Sequence, residues 1–273
     1  MEAAIEINAE SVRRHYDQMA WVYRLFWGDH IHHGLFADGA MTASAAQLRL
    51  LDFCSQILEL KPGGGTALDV GCGHGGTCLY LASRFGYQVT GFTLSPKQAH
   101  FARRKITNAG AQSVVEIRVA DAERTDCGIE TCDLVWVMES SEHFSDKAGF
   151  FTRVGRCLRP GGRLLVAAWT GSMCSLRVRA VAKNFVCPSL LTSQDYNSLI
   201  TEAGLVPTRS VDLSAGVART WDVCRRRAQA FRFLLPFLPS EVNHFSCAIP
   251  VIQEAYASGE LTYSIIAAQR REP

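Results

Sequence analysis

The sequence predicts an α/β protein with a seven-stranded, mostly parallel sheet and helices on both faces. Three observations predict this class. Short apolar segments alternate with segments of helical periodicity between about residues 66 and 169. The first apolar segment runs directly into a glycine-rich turn and a helix. Further helical segments precede and follow the alternation, so we expect an N-terminal helical cover and a helical lid insertion.

The N-terminal cover is predicted to contain two helices. In residues 9–27 apolar side chains recur at spacings of three and four, with arginines between them. A second helix is predicted from about residue 43 to residue 60, and it stops before the breaker sequence PGGG. The segment GDHIHHGLFADG (28–39) between them is predicted to be a loop.

The alternating region supplies most of the sheet. Strands are predicted at 66–70, 87–92, 114–120, 132–138 and 162–169, and helices at 76–85, 96–109 and 147–158. Later elements are a helix at 193–203, a strand at 207–214, an apolar helical stretch at 221–238 and a last strand at 260–270. Because no linker or repeat interrupts the pattern, we expect one domain over 1–273, divided into a cover (1–60), a ligand-binding core (61–170), a lid (171–259) and the last strand (260–273).

Composition excludes several classes of protein. The chain has 28 basic and 26 acidic residues, a balance that argues against a nucleic-acid partner. The ten cysteines form no CxxC pair, and the N-terminus lacks the apolar region of a secretory signal. No apolar run approaches the roughly 20 residues of a membrane span. These features predict a cytoplasmic protein without a membrane span, with a possible homo-oligomer formed through the N-terminal or lid helices.

The segment ALDVGCGHGG (67–76) contains the most informative motif. Its glycines match GxGxxG, which alone would fit an NAD(P)-dependent oxidoreductase. Asp69, however, ends a buried strand, where a carboxylate needs a charged or hydrogen-bonding partner. Asp121, at the end of the third strand, is placed to accept from an adenine amino group. The alternative is that Asp69 caps a turn and that Asp121 is solvated.

Four motifs in order carry a family resemblance: DVGCGHGG, VTGFTLSP (89–96), DAE (121–123) and LRPGGRLLV (158–166). Together they resemble the class I S-adenosylmethionine-dependent methyltransferases. The segments WGDHIHHG, GFTLSPKQ and VWVMESSEHF are similar to the tocopherol C-methyltransferase branch and its sugar, sterol and alkaloid methyltransferase relatives. The resemblance implies a Rossmann-like fold, S-adenosylmethionine as the cofactor and S-adenosylhomocysteine as its product.

The resemblance also implies a set of cofactor-binding residues. The methionine portion would meet Asp69, Gly71, Cys72 and Gly73. Many relatives hold the ribose with an acidic residue after the second strand, but this chain has TLSP there. We therefore expect ribose and adenine contacts from Thr93, Leu94 and Gln98, with Asp121 and Ala122 flanking the adenine. Near the sulfonium we expect Met138 and Glu139.

Tyr16 lies in RRHYDQ, which resembles the segment that closes over the cofactor in this branch. Its phenol could hydrogen-bond the methionine carboxylate, although a core tyrosine on an amphipathic helix would give the same pattern.

Catalysis requires a group that takes a proton from the acceptor. His143 and Glu142 follow the fourth strand, at the sheet edge where ligands bind, and they are the leading base candidates. The alternative is that Glu142 caps the next helix and that His143 packs under the cofactor. The HIHH cluster of His30, His32 and His33 lacks a fourth ligand at a suitable spacing, so we expect no metal.

The acceptor is predicted from the composition of the lid. Its large side chains favour a small apolar acceptor, prenylated or aromatic, and C- or O-methylation. Ordinary core packing, a subunit interface and N-methylation of an alkaloid or amine are the alternatives. The lid residues in question are Trp221, Phe231, Phe233, Leu234, Leu235, Phe237, Leu238 and Phe245.

Overall fold

The structure is a computed structural model that describes residues 7–230, 233 and 240–272. Its sheet contains seven strands: β1 (Gly65–Val70), β2 (Tyr87–Thr93), β3 (Val115–Val119), β4 (Cys132–Met138), β5 (Leu158–Gly171), β6 (Leu205–Asp212) and β7 (Leu261–Arg270). Their order across the sheet is β3-β2-β1-β4-β5-β7-β6. Since β7 alone runs antiparallel to its neighbours, the prediction of a seven-stranded, mostly parallel sheet is confirmed.

Two helices form the cover, α1 (Ala9–Phe26) and α2 (Ala43–Ile57). Asn8 and Thr42 cap them by accepting hydrogen bonds from backbone amides of the first turn. The helix predicted to reach residue 60 ends at Ile57. The chain leaves the helix there because Glu59 adopts a left-handed backbone with φ of 52°.

Three helices connect the parallel strands: α3 (Gly76–Phe85), α4 (Pro96–Asn108) and α5 (Lys147–Cys157). Successive residues of β4 point to opposite faces of the sheet, so Trp136 packs in one apolar cluster and Val135 in the other. The cover lies on the face that holds Trp136. β5 is longer than predicted, because its residues 163–171 pair with β7.

The lid contains α6 (Leu176–Asn184), α7 (Ser193–Glu202), α8 (Ser214–Val217), α9 (Arg219–Ala230) and α10 (Ser240–Ala257). The helices α6 and α10 pack on each other. Neither was predicted: α6 is short, and Pro250 interrupts the sequence pattern of α10. The apolar stretch predicted at 221–238 is helical as far as Ala230, and residues 231–232 and 234–239 lie outside the described part. Among the described helices, none has the length and apolarity needed to cross a membrane.

Candidate active site

The glycine turn after β1 brings backbone to the carboxyl edge of the sheet. Gly71 has a φ of +75°, and a Cβ there would lie 2.3 Å from Cβ of Ser140. Gly75 caps α3 with a φ of 75°. Ser140 secures the same point, because its hydroxyl donates to the carbonyl of Val70 over 2.8 Å. The turn therefore requires glycine, and the amides of Cys72 and Gly75 within it are held by the carbonyls of Phe92 and Cys72.

A cavity of about 70 Å³ lies between this turn and α1, and we call it the glycine-loop cavity. Nine of the predicted cofactor residues line it: Tyr16, Gly71, Gly73, Thr93, Leu94, Gln98, Ala122, Met138 and Glu139. They come from the cover, from the ends of β1, β2, β3 and β4 and from the first turn of α4, which the sequence separates widely. The tertiary structure thus brings most of the predicted set together.

The TLSP segment builds the wall next to α4. The Thr93 hydroxyl donates to the amide oxygen of Gln98 over 2.8 Å, which orients a side chain that is almost fully buried. Ser95 caps α4 and donates to Asp17 of α1 over 2.6 Å. This bond attaches the cover helix to the cavity wall. Asp17 and Ser95 were not among the predicted site residues, although Ser-Pro before a helix is a signal for a helix N-terminus.

Asp69 and Cys72 line a smaller cavity of about 30 Å³ behind the glycine turn, together with His30 and His32. The Cys78 thiol lies 3.1 Å from the Asp69 carboxylate and donates to it. Burial raises the pKa of Asp69 to about 7, and the Cys78 thiol offsets only part of this effect. His32 donates from Nδ1 to its neighbour's carbonyl, and its buried Nε2 has no partner among the described residues.

Asp121, which the resemblance places next to the adenine, lies between Ala120 and Ala122, two residues that line the glycine-loop cavity. Its carboxylate accepts from the backbone amide of Glu123 over 2.9 Å and lies 3.6 Å from Arg124. The side chain is therefore used in a local turn, and it is not one of the residues that line the glycine-loop cavity. Ala122, in contrast, is buried against that cavity.

Glu139 is a hydrogen-bond hub rather than a free carboxylate. It accepts from the backbone amide and Nδ1 of His33, from the Tyr263 hydroxyl at 2.7 Å and from the Trp169 indole at 3.2 Å. Burial opposes ionisation, but the interactions with His33 outweigh it, so the pKa of Glu139 is lowered. The Trp221 indole donates to Nε2 of His33 over 2.8 Å, so Nδ1 of that ring is the nitrogen that donates to Glu139.

A second cavity, of about 50 Å³, lies beside the first, and we call it the aromatic cavity. Its apolar lining comes from the cover, from β5 and from the lid: Tyr16, Tyr23, Trp27, Ile31, Trp169, Phe185, Trp221 and Phe245. Trp221 and Phe245 are thus buried in the site as predicted for lid residues, whereas Phe233 is 66% exposed. Phe231, Leu234, Leu235, Phe237 and Leu238 lie outside the described residues.

Glu142 lines the aromatic cavity and is 2% exposed. One carboxyl oxygen accepts from the backbone amide of Trp169 over 2.8 Å, and the other has no partner among the described residues. Burial raises the pKa of Glu142 to about 8, so the group is mainly protonated at neutral pH. The alternative of Glu142 as a helix cap is wrong, since Asp146 caps α5.

His143 lines both cavities and is held at both ring nitrogens. Nδ1 donates to the carbonyl of Val186 over 3.0 Å, and the Tyr16 hydroxyl lies 2.7 Å from Nε2. Val186 has a φ of 57°, an unusual value for a β-branched residue. Burial lowers the pKa of His143 to about 4, so the imidazole is neutral at pH 7.

The HIHH cluster lies in the loop between α1 and α2. Among residues 7–230, 233 and 240–272, no group of three metal-ligating side chains has a geometry suited to a metal ion. Gln47 instead fixes this loop by donating to the carbonyls of His30 and His32.

The strand order β3-β2-β1-β4-β5-β7-β6 with an antiparallel β7, together with the glycine turn at the carboxyl edge, is the Rossmann-like arrangement expected of a class I methyltransferase. The family model for mycolic acid cyclopropane synthetase matches residues 4–194. Tocopherol O-methyltransferase of Arabidopsis thaliana is 31% identical, over 98% of this chain and 85% of that protein. The chain belongs to the mycolic acid cyclopropane synthetase family and is an S-adenosylmethionine-dependent methyltransferase. This assignment replaces the oxidoreductase alternative.

Two solved structures agree with this assignment. The cyclopropane synthase MmaA2 from Mycobacterium tuberculosis is 22% identical, with a TM-score of 0.86 and coverage of 98% of this chain and 100% of that chain. A geranyl diphosphate methyltransferase in complex with SAM is 26% identical, with a TM-score of 0.74 and coverage of 88% and 98%. The first supports the Rossmann-like fold, and the second is a methyltransferase structure with this cofactor bound.

Proposed function

We propose that this enzyme transfers a methyl group from S-adenosylmethionine, bound in the glycine-loop cavity, to a small apolar acceptor in the aromatic cavity. The observation that carries the proposal is the junction of the two cavities. Tyr16, Ile31, Glu139 and His143 line both of them. A donor and an acceptor bound on the two sides would meet at these four side chains, which is the alignment that a direct displacement requires.

Features of the glycine-loop side fit the donor. Asp69 has only a thiol as its described hydrogen-bond donor, and an ammonium group of the methionine portion would give it a charged partner. We propose the tail contacts for Asp69, Gly71, Cys72 and Gly73, and the ribose and adenine contacts for Thr93, Leu94, Gln98 and Ala122. When bound, the cofactor supplies a methyl group activated by a positively charged sulfur. We also propose an adenine contact for Asp121, whose partly exposed carboxylate keeps acceptor capacity beyond its bond to the Glu123 amide.

Features of the aromatic side fit a prenylated or aromatic acceptor. The tryptophan and phenylalanine rings exclude water from this cavity. Burial of an apolar ring against them would contribute a binding free energy of about 25 cal/mol per Å² of apolar surface. Glu142 offers a polar contact within this apolar wall, and as a neutral acid it can donate to an acceptor oxygen. C- or O-methylation of a hydroxylated ring agrees with this mixture. The Arabidopsis relative is named for a tocopherol, which is a prenylated phenol.

Methylation of an amine is a second candidate. Aromatic rings attract cations over their faces, and Trp27, Trp169 and Trp221 line one cavity. Glu139 adds a buried negative charge to the same wall. An assay that contains both phenols and amines therefore distinguishes the two candidate acceptors.

The proposal is tested by calorimetric titration with S-adenosylmethionine, followed by assays with the methyl-labelled cofactor. The panel contains γ-tocopherol, simple phenols, geranyl diphosphate and sarcosine. We expect micromolar cofactor binding and label transfer to a phenol, with mass spectrometry and NMR locating the new methyl group. Cofactor binding without transfer to a phenol or a prenyl compound would contradict the proposed acceptor class. Transfer to sarcosine alone would favour the amine candidate.

The plant relative is named as chloroplastic, so the cytoplasmic location stays a prediction. A homo-oligomer through the N-terminal or lid helices also stays a prediction.

A further inference from the structure

Tyr16 and His143, two of the four residues at the cavity junction, are linked by a short hydrogen bond whose direction can be assigned. The carbonyl of Val186 can only accept, so Nδ1 of His143 carries a proton. In the neutral imidazole Nε2 then holds a lone pair. The Tyr16 hydroxyl, 2.7 Å away, therefore donates to it. The oxygen of Tyr16 keeps its own lone pairs for another donor.

The other junction residues cannot serve as the base. Ile31 has no ionisable group. Glu139 already accepts four hydrogen bonds, two at each carboxylate oxygen, so its lone pairs are occupied. His143 itself has no free lone pair while Tyr16 occupies Nε2. The accessible basic atom of the junction is therefore the phenolic oxygen of Tyr16.

We propose that Tyr16 is a catalytic residue that passes the acceptor's proton to His143. This inference rests on the proposed function and applies to a hydroxylated acceptor. As the acceptor forms its bond to the methyl carbon, the carbon–sulfur bond breaks with its electron pair going to sulfur. The acceptor's O–H proton moves to the Tyr16 oxygen, and the Tyr16 proton moves to Nε2 of His143. The imidazolium later loses this proton to water.

Burial and hydrogen bonds set the protonation states at the two ends of this relay. Burial raises the pKa of Tyr16 far above its usual value, so the phenol transfers its proton in concert and does not accumulate as phenolate. The imidazolium formed would keep its Nδ1–H bond to Val186. Burial, and to a smaller extent Lys147, lower the pKa of His143, whereas the Val186 bond and the Glu139 carboxylate raise it. The imidazolium is therefore a transient carrier of the proton that returns to the neutral form. The unusual backbone of Val186 keeps the carbonyl aimed at the ring.

The test compares Tyr16→Phe with the matched control Tyr196→Phe. Tyr196 is fully buried, and its hydroxyl is 2.9 Å from Ser141 in the same turn as His143, but it does not line either cavity. With γ-tocopherol or the most active phenol of the panel, we expect Tyr16→Phe to lower kcat roughly 100-fold. We expect the Kd for S-adenosylmethionine to change less than threefold. The control should keep kcat within threefold.

A double variant separates a relay from two independent contributions. If Tyr16 and His143 act as one unit, Tyr16→Phe/His143→Gln should be no slower than the slower single variant. Multiplicative losses would overturn the relay. A Tyr16→Phe enzyme that keeps kcat within threefold would overturn it as well. A loss of cofactor affinity equal to the loss of activity would also overturn it, by making Tyr16 a ligand of the methionine carboxylate.

An acceptor-independent measurement keeps this inference separate from the proposed function. ¹⁵N NMR of labelled histidines reports the tautomer and titration of His143. Loss of the Tyr16 donor should make Nε2 easier to protonate, so its pKa should rise in Tyr16→Phe and not in Tyr196→Phe. If wild-type enzyme binds the cofactor but methylates no phenol, the proposed function fails. An unchanged His143 titration in Tyr16→Phe would overturn the relay itself.

Discussion

At the scale of single residues, burial decides the protonation state of the site's acids. Asp69 and Glu142 are both 2% exposed, yet neither has a cationic partner among the described residues. Their pKa values rise to about 7 and about 8. A sequence shows which residues are acidic, but it does not show which of them the fold deprives of water. These two groups therefore lead to predictions that only the structure supports.

Replacement of Asp69 by asparagine should weaken cofactor binding. The carboxylate must ionise to pair with an ammonium group, so wild-type affinity should rise between pH 6 and 7.5 as Asp69 loses its proton. At pH 7.5 we expect Asp69→Asn to raise the Kd for S-adenosylmethionine about 10- to 100-fold, the value of a charge-assisted hydrogen bond. The pH dependence should also flatten. Calorimetry measures both effects, with exposed Asp126→Asn as the control. An unchanged Kd would remove Asp69 from the cofactor site.

Glu142 should make the ligand-free protein less stable as the pH rises. Its folded pKa of about 8 lies above the usual value for glutamate in an unfolded chain, so the native state binds more protons between about pH 4.5 and 8. The contribution of Glu142 to the free energy of unfolding is fully present below that window, and it is lost as the pH rises through 8. Urea denaturation from pH 6 to 9 should show a smaller decline for Glu142→Gln than for wild type. Exposed Glu202→Gln is the control, and equal slopes in all three proteins would contradict the assignment.

At the scale of elements, the attachment of α1 to α4 closes the glycine-loop cavity. Ser95 accepts from the amide of Gln98 as a helix cap and donates to Asp17 on α1. The amphipathic pattern of α1 predicts a helix with one buried face. It does not predict which neighbour the helix meets, because side-chain pairs from distant segments form only after the sheet has assembled.

The Ser95→Ala variant should lose both the cap and the attachment. Thr42→Ala is the matched control, since Thr42 caps α2 by accepting from Ala45 and has no described bond to α1. Thr42→Ala should lose about 1 kcal/mol of unfolding free energy, and Ser95→Ala about 2 kcal/mol, because it also loses the bond to Asp17. Only Ser95→Ala should also weaken cofactor binding, by roughly three- to tenfold if about one net hydrogen bond is lost. Equal Kd values for the two variants would show that the attachment does not contribute to the site.

At the scale of the whole molecule, the cover meets the core through neutral histidines. His30 and His74 are buried near the glycine turn. Burial lowers their pKa values to about 3 and about 4, and neighbouring His32 and Lys105 also oppose a positive charge there. The packing of the N-terminal loop on the core thus depends on imidazoles that stay uncharged.

Acid should therefore destabilise the fold. Histidine in the unfolded chain has a pKa near 6.5, so that chain binds more protons than the native state between about pH 6.5 and 4. Stability is present above this window and falls as the pH is lowered through it, by up to about 1.4 kcal/mol per pH unit for each histidine. Urea denaturation at pH 7, 6 and 5 should show a shallower decline for His30→Gln/His74→Gln than for wild type or for exposed His100→Gln. A steep decline in the double variant would place the acid sensitivity elsewhere.

Sequence alone determined the fold class and the methyltransferase family, because both depend on local signals. Strand and helix periods repeat along the chain, and the glycine turn is a contiguous motif whose backbone geometry few other residues allow. Thr93, Leu94 and Gln98, which were expected to contact the ribose and adenine, line the glycine-loop cavity.

Only the tertiary structure decided how the acids and bases of the site are used. The Asp121 carboxylate accepts a hydrogen bond from the nearby backbone, and Glu139 accepts four hydrogen bonds, one of them from Tyr263. Burial raises the pKa of Glu142. The bond between Tyr16 and His143 joins residues 127 positions apart. Burial and long-range hydrogen bonds depend on every element that packs around a side chain, and a local sequence pattern contains no record of those neighbours.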